Sequence, residues 1–479
     1  MNPNYVVCLV AVSAIWCGGL RAAEPVTGDP AGAALATAGS YNGYFYSNKA
    51  FDGADAPAVR GTLTLKVTDV TRGKLTAHAV LQDGPLNFNG TAWTSTDTNG
   101  TKSIVLSGKG RNKAQLTLNV NEGRIWGSLE GGTLDGALTL DGARNVFTGT
   151  VATNAAEAKA AVDAFQGYYT VALPPVAALS TGKADAAPQG VGYLTLTVGS
   201  RGVAKIAGRL ADGTSVSLSS PVILFPGAAT TNDVAATNET ETASADEVCV
   251  PVFKALSGNK GWFGGLLWLR PGEPRLVATD RDLGWYVRWE NTGSRSNGNS
   301  RNKKDGADGF EMLLDACGGY YSSEASVASN YLFAASEPVG LRYFSGNSVG
   351  DYVASAIPSG LVVSVTSGAF AIAAGANLAL VDGAYDYSGT NAAMATIVGT
   401  TRTGLFKGLF NVYFDYERNG RLVHHKDRVP YMGVLTPARG EAFAELPLGM
   451  GFYQVRDTDP SIRSYNLKRS FPVVLDTAE

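Results

Sequence analysis

Of the seven tryptophans in this sequence, four lie close together: Trp262, Trp268, Trp285 and Trp289. On a β-strand, Trp285 and Trp289 would share one face, since side chains alternate and the two are an even number of residues apart. Flat indoles side by side can stack on the apolar faces of sugar rings, so the four are candidate ligand-binding residues for a carbohydrate. Large aromatics also fill protein interiors, and a barrel core is the other place for them.

Carboxylates offer a second chemistry. Glu122, Glu130, Asp135, Asp280, Asp282 and Glu290 fall at expected turns and strand ends. A glycosidase needs two such groups flanking the scissile bond, and the sequence alone does not bring two together. Aspartates in residues 52–56, 305–309 and 457–460 have settings in which a loop could hold calcium, without the spacing of an EF-hand. Turn residues bonding their own backbone explain them as well.

Nucleophile and metal chemistry find less. GNSVG (346–350) is a G-x-S-x-G with Ser348 in the nucleophile's place. An elbow needs a strand before it and a helix after it; the segment that follows is short and meets Pro358, so a turn is expected. The three histidines are His78, His424 and His425. The adjacent pair would face opposite sides of a strand, and no paired His or Cys spacing of a metal site occurs, so neither metal nor cofactor is expected. No catalytic residue is assigned.

These residues must be held by strands. The chain has 479 residues, 45% hydrophobic and 17% charged, with 58 glycines, which suits several cores and many tight turns. A net charge of −3 gives no basic footprint for nucleic acid. Landmarks recur along it. AVDAFQGYYT (161–170) is echoed by LLDACGGYYS (313–322) and more weakly by AGSYNGYFYS (38–47). Segments 61–84, 192–213 and 360–383 each read as an alternating strand, a turn, a second strand and Asp-Gly. A G-x-x-x-G begins at Gly123, Gly261 and Gly404. Ordered repetition of this kind marks tandem modules.

Each module reads as an antiparallel meander, closed into a barrel or, alternatively, folded as a β-sandwich. Asn154 heads AAEAKAAVDAF and Asp308 heads GFEMLLDAC, so a short helix is expected before the openers at Gly167 and Gly319. The expected division is a signal peptide (1–23), an N-terminal linker or short helix (24–39), module one (40–152), helix plus module two (153–290), a linker (291–309), and helix plus module three (310–479). The signal reading rests on the apolar run 6–16 followed by Ala22 and Ala23. The linker carries Arg295, Arg301, Lys303 and Lys304 among Gly, Ser and Asn. Cys249 and Cys317 would remain after signal removal. A bridge between them is one option; the echo, which sets Cys317 in the place of Phe165, favours a buried free thiol.

The GYY opener, LADG (210–213), VPVFKALSGNKGWFGGLLWL (250–269), TGLFKGLF (403–410) and GVLTPARGEAFAELPLGMGFY (433–453) together resemble repeated β-modules of large secreted proteins from verrucomicrobial-type bacteria. The likeness covers most of the second module and the later half of the third. It implies an extracytoplasmic surface or matrix role and assigns no catalytic residue.

The expectation is therefore an all-β, secreted, non-enzymatic protein of adhesion or scaffold type, meeting a polysaccharide or other cell-surface component, with no membrane span once the signal is removed. The alternatives are a secreted carbohydrate-active hydrolase with carboxylates in an inter-module cleft, and an outer-membrane β-barrel. The last fits less well, because the chain ends VVLDTAE without a terminal aromatic.

Overall fold

Alternation decides the architecture. In KLTAHAVL (Lys74–Leu81) the residues Leu75, Ala77, Ala79 and Leu81 are buried while Lys74, Thr76, His78 and Val80 are exposed, the signature of a strand with one face on a core. The computed structural model describes residues 38–48, 50–52, 56–109, 113–121, 123–147, 165–180, 187–225, 247–256, 261–270, 275–281, 283–292, 309–322, 339–343, 361–366, 369–372, 377–381, 384–388, 394–399, 402–418, 420–437, 447–456 and 468–477. Among them are strands and turns and no helix, so the protein is all-β. The signal run, the 154–164 segment, residues 293–308 of the basic linker and Ser348 lie outside the described residues, while Asn291, expected to begin the linker, ends the strand Val287–Asn291.

Sheet 1 comprises β1 (Gly39–Asn48), β2 (Pro57–Asp69), β3 (Lys74–Leu81), β4 (Gly84–Gly90), β5 (Ser95–Thr96), β6 (Lys102–Ser107), β7 (Gln115–Asn121), β8 (Arg124–Glu130) and β9 (Leu138–Arg144). Their order is β4-β3-β2-β1-β9-β8-β7-β6-β5, all antiparallel. The sheet curls until β4 lies against β6, where Lys109 N donates to Asn87 O at 3.2 Å. Tyr41, Phe45, Leu65, Phe88, Leu118 and Ile125 fill its inside.

Sheet 2 comprises β10 (Gly167–Leu173), β11 (Pro175–Ser180), β12 (Gly192–Gly199), β13 (Val203–Arg209), β14 (Ser215–Pro221), β15 (Ile223–Phe225), β16 (Glu247–Ala255), β17 (Gly261–Arg270), β18 (Leu276–Ala278), β19 (Val287–Asn291), β20 (Phe310–Leu314) and β21 (Cys317–Tyr320). The path runs β11-β20-β19-β17-β18-β21-β10-β12-β13-β14, with β15 and β16 branching from β17. Here β14 lies against β16, Ser220 Oγ donates to Pro251 O, and Lys254 Nζ donates to Ser217 O at 3.0 Å. The sheet thus also wraps a core, of which Leu196, Ile206, Phe263, Leu267 and Trp289 are part.

Sheet 3 comprises β22 (Val339–Tyr343), β23 (Leu361–Thr366), β24 (Ala369–Ile372), β27 (Thr396–Gly399), β28 (Leu405–Arg418), β29 (Arg421–Leu435), β30 (Gly449–Arg456) and β31 (Lys468–Thr477), while β25 (Asn377–Val381) and β26 (Ala384–Ser388) form a separate hairpin. Its order is β24-β23-β22-β31-β30-β29-β28-β27, and β24 lies against β27. In all three sheets the first strand pairs with the last: β1 with β9, β10 with β21, and β22 with β31.

That topology corrects two expectations. GFEMLLDAC is not a helix: Phe310–Leu314 is strand β20, between β19 and β11, where Phe310, Met312 and Leu314 alternate into the core of sheet 2. An apolar run this short has no periodicity that separates helix from buried strand. The echoed tyrosine doublets do not open two modules either. GYY at 167–169 lies in β10 and GGY at 318–320 in β21, and the two strands pair with Tyr169 opposite Tyr320. They are the first and last strands of one sheet, so residues 310–320 belong structurally with 167–291. Gly318 is required at this seam, since a Cβ there would come within 2.0 Å of Thr170 O. The Asp-Gly turns behave as expected, with φ of 112° at Gly84 and 82° at Gly213. The G-x-x-x-G glycines enter β8 and β17, each the eighth strand of its sheet counted from the first, and β28, which is the fifth strand of sheet 3.

Candidate functional site

The chemistry-bearing side chains gather where the sheets meet. Trp262 sits on the outer side of sheet 2, fully buried by β2 and its neighbours in a cluster with Tyr44, Val59, Phe225, Leu266 and Trp285. Its Nε1 donates to Glu290 Oε2 at 3.1 Å, Phe253 stacks on it at 6.5 Å, and the Arg60 guanidinium of β2 lies 4.9 Å from its ring centre. The backbones approach closely because position 264 is glycine: a Cβ there would stand 2.4 Å from Val59 O.

Trp285 belongs to the same joint, edge-on to Tyr44 at 6.1 Å and to Tyr46 at 5.1 Å. Trp268 packs partly buried against this cluster. Trp289 does not share a face with Trp285. The chain turns between them, with Trp285 N bonded to Asp280 O and Tyr286 N to Gly284 O, and β19 begins at Val287. Trp289 therefore points inside sheet 2, edge-on to Phe310 at 4.7 Å and 1% exposed. The expected paired-indole platform is thus absent: Trp262, Trp285 and Trp289 are all at or below 8% exposure and offer no open ring face.

A buried cation completes this first joint. Arg288 has no solvent exposure; its Nε donates to Glu311 Oε1 at 2.6 Å, and its Nη groups reach Ala56 O (3.4 Å) and Ala50 O (3.5 Å), with Phe51 beneath the guanidinium. Ala50 and Ala56 lie between β1 and β2, so one arginine of sheet 2 holds two points of that connection in sheet 1. Nearby, Arg124 Nη2 pairs with Asp141 at 3.1 Å and sits over Phe225 of sheet 2. Burial raises the Asp141 carboxyl above the usual aspartate range, opposed by Arg124 and by the Gly142 N–H. Burial likewise holds the Tyr44 phenol well above its ordinary value, with Asp141 adding to the shift.

The second joint, between sheets 2 and 3, uses the tyrosine doublets. Tyr169 and Tyr320 meet edge-on at 5.7 Å, and Arg275 lies 4.0 Å from the Tyr320 ring centre. Burial pushes the Tyr169 phenol up to about 12. Their chain neighbours Tyr168 and Tyr321 turn the other way, toward sheet 3, where the Tyr168 hydroxyl donates to Thr403 O at 2.9 Å. Thr170 Oγ1 donates to Leu435 O (2.7 Å), Ser470 Oγ to Ala211 O (2.6 Å) and Val191 N to Gly451 O (3.2 Å). Among the described residues the joint's buried apolar part is small: Ala172, Val191, Cys317, Val434 and Met450, with Tyr193 and Leu405 packed against them.

Both cysteines are buried thiols outside any disulfide. The register lines up Cys249, Trp268, Ala278 and Cys317 across β16, β17, β18 and β21. Three strand spacings of about 4.8 Å separate the two sulfurs' backbones, beyond the reach of a disulfide. Burial also raises the Cys317 thiol.

The candidate carboxylates disperse. Asp135 pairs with Arg60 at 3.4 Å beside a cleft of about 210 Å³ lined also by Gln82, Asp83 and Thr133; Asp280 faces Arg270 at 3.9 Å; and Glu130 accepts from Ser128 Oγ at 3.1 Å. Glu122 and Asp282 lie outside the described residues, as do most of the aspartate-rich loops. Glu290 gains one carboxylate neighbour that the sequence did not suggest, Glu311, directly opposite it on β20. Arg60, Arg288 and Glu311 were missed because their partners come from distant strands. His78 is exposed on β3, and His424 and His425 fall in β29. Among the described residues no three His, Cys, Asp or Glu gather as a metal site. No protein family, curated protein or solved structure matches this chain.

Proposed function

We propose that this chain is a secreted, non-enzymatic surface or matrix protein, a stiff scaffold of three tandem β-modules that meets a polysaccharide or other cell-surface component. The observation that carries the reading is the use of its aromatic and charged side chains: Trp262, Arg60, Arg288 and Tyr168 fasten sheet to sheet. Long tryptophan and arginine side chains so committed resist relative motion of the modules, which suits a load-bearing or spacing element. The shared first-beside-last topology supports tandem copies of one unit. The apolar run at 6–16 and the likeness to modules of secreted verrucomicrobial-type proteins support placement outside the cytoplasm.

Small-angle X-ray scattering of the mature chain tests the scaffold. The expected profile is that of one rigid particle, unchanged between low and high salt. A profile needing independently moving beads would overturn it.

One observation favours a second reading, a hydrolase. Side chains directly opposite on paired strands have Cβ atoms about 4.5–5.5 Å apart, so Glu290 and Glu311 approach a retaining glycosidase's spacing. Each is bonded to a joint residue, Trp262 or Arg288, which favours the scaffold. Reducing-sugar release that vanished in Glu290→Gln would decide for the hydrolase. The outer-membrane reading meets an inverted polarity: the interiors of sheets 1 and 2 are packed with apolar side chains while Lys74, Thr76 and His78 face outward, the reverse of a lipid-facing barrel.

A further inference from the structure

One tryptophan stands apart from all those at the joints. Trp126 in β8 is 37% exposed and lies on the outer side of sheet 1, where Ile125 and Leu129 on either side of it turn inward. The register surrounds it with hydroxyl and amide side chains. Asn119 and Ser103 continue its row across β7 and β6; Ser128, Thr117 and Thr139 form the row beside it. Ser103 Oγ donates to the Asn119 carboxamide at 2.7 Å, which fixes that amide. On the other side Arg124 is paired with Asp141, the residue directly opposite Trp126 on β9.

We propose that this face of sheet 1 is a contact site for a neutral polysaccharide, with Trp126 as its stacking platform. The argument is chemical complementarity. An indole face takes the C–H side of a pyranose, while the Asn119 amide N–H, the Thr117 hydroxyl and the Ser128 oxygen, whose proton goes to Glu130, supply donors and acceptors for the ring hydroxyls in rows about 4.8 Å apart. Charge selects among polymers: of the described residues in these rows the one cation, Arg124, is neutralised by Asp141, and the exposed Glu130 adds a carboxylate, so they offer nothing to a polyanion such as nucleic acid or an acidic glycan. Gly127 follows Trp126, and a Cβ at that position would run into Thr117 O at 1.9 Å, so the β7–β8 pairing under the indole depends on glycine. The site rests on the surface-protein reading, and it moves the expected glycan contact from the buried tryptophans to one that is open.

Native affinity electrophoresis of the full mature chain tests it, in gels containing mixed-linkage β-glucan, arabinoxylan, galactomannan or dextran, with alginate as the polyanion. The expected result is retardation by at least one neutral polymer. Trp126→Ala should weaken it by about tenfold or more, Trp126→Tyr should weaken it less, and the melting temperature should stay unchanged. Retardation by none of the neutral polymers, retardation by alginate alone, or equal retardation of wild type and Trp126→Ala would each overturn the site. Should Trp126→Ala lower the melting temperature, Asn119→Ala replaces it as the deciding variant, on the same criterion. Loss of the site would leave the scattering test of rigidity standing, so the two readings fail separately.

Discussion

The two joints of this molecule are made from different materials. Between sheets 1 and 2 the contact is aromatic and cationic, with Trp262, Trp285, Tyr44, Phe225 and a fully buried Arg288. Between sheets 2 and 3 it is a set of hydroxyl and backbone hydrogen bonds beside the Tyr168–Tyr321 pair, around a smaller buried apolar cluster with no tryptophan. Apolar area is the larger driving force per contact, whereas a protein hydrogen bond contributes about 0.5–1.5 kcal/mol net once water is counted. The first joint should therefore carry strength, and the second should carry register.

Trp262→Ala is the harshest test of that contrast. It removes the centre of the first joint and the partner of Arg60 and Glu290, at an expected cost of about 3–5 kcal/mol. Calorimetry should show sheet 1 unfolding as a separate, earlier transition. If the variant melted as wild type, the joint would not be held by its aromatics. Next in size is Arg288→Met, which keeps volume but leaves Glu311 and two loop carbonyls without their donor. Breaking one side of a buried ion pair costs about 3 kcal/mol. The variant should also expose residues 50–56 to protease; unchanged cleavage there would mean the arginine does not hold the loop.

The sequence makes the local part of this design readable and hides the non-local part. Leu63, Leu65 and Val67, or Leu194, Leu196 and Val198, alternate cleanly, and the all-β meander follows from them. The tyrosine echo was visible but its meaning was not: two similar segments look like two beginnings until pairing shows β10 beside β21. Trp285 and Trp289 looked like a paired platform because the alternation was carried through a turn that ends only at Val287, and Trp262 looked like a ligand contact because alternation says which side of a strand a residue takes and never what covers that side. The exposed Trp126 did leave a signal. It falls in the polar phase of RIWGSLE, between Ile125 and Leu129, next to the alternating QLTLNVN.

At the second joint the effects should be smaller. Thr170→Val removes one donor across the seam and strands Leu435 O, an expected loss of about 1–2 kcal/mol. In hydrogen exchange, sheet 3 should loosen against sheet 2 while the first joint stays protected. A loss as great as that of Trp262→Ala would erase the distinction between the two materials.

The smallest effect returns to the rim of the first joint, at Asp141. A carboxyl whose pKa is raised in the folded state binds its proton more tightly there than in the unfolded chain, so protonation favours the fold. Its contribution is favourable at the acid end and declines as pH rises from the ordinary aspartate value through the raised one, opposite to the usual salt-bridged aspartate. Arg124 limits the size, because its charge recovers part of what burial takes away. Melts of wild type and Asp141→Asn, compared from about pH 4 to pH 6, isolate the term. Wild type should lose ground relative to the variant as pH rises through that window. The reverse slope would mean that Arg124 outweighs burial, and that even the rim of this joint is governed by its charges rather than by the aromatic surface around them.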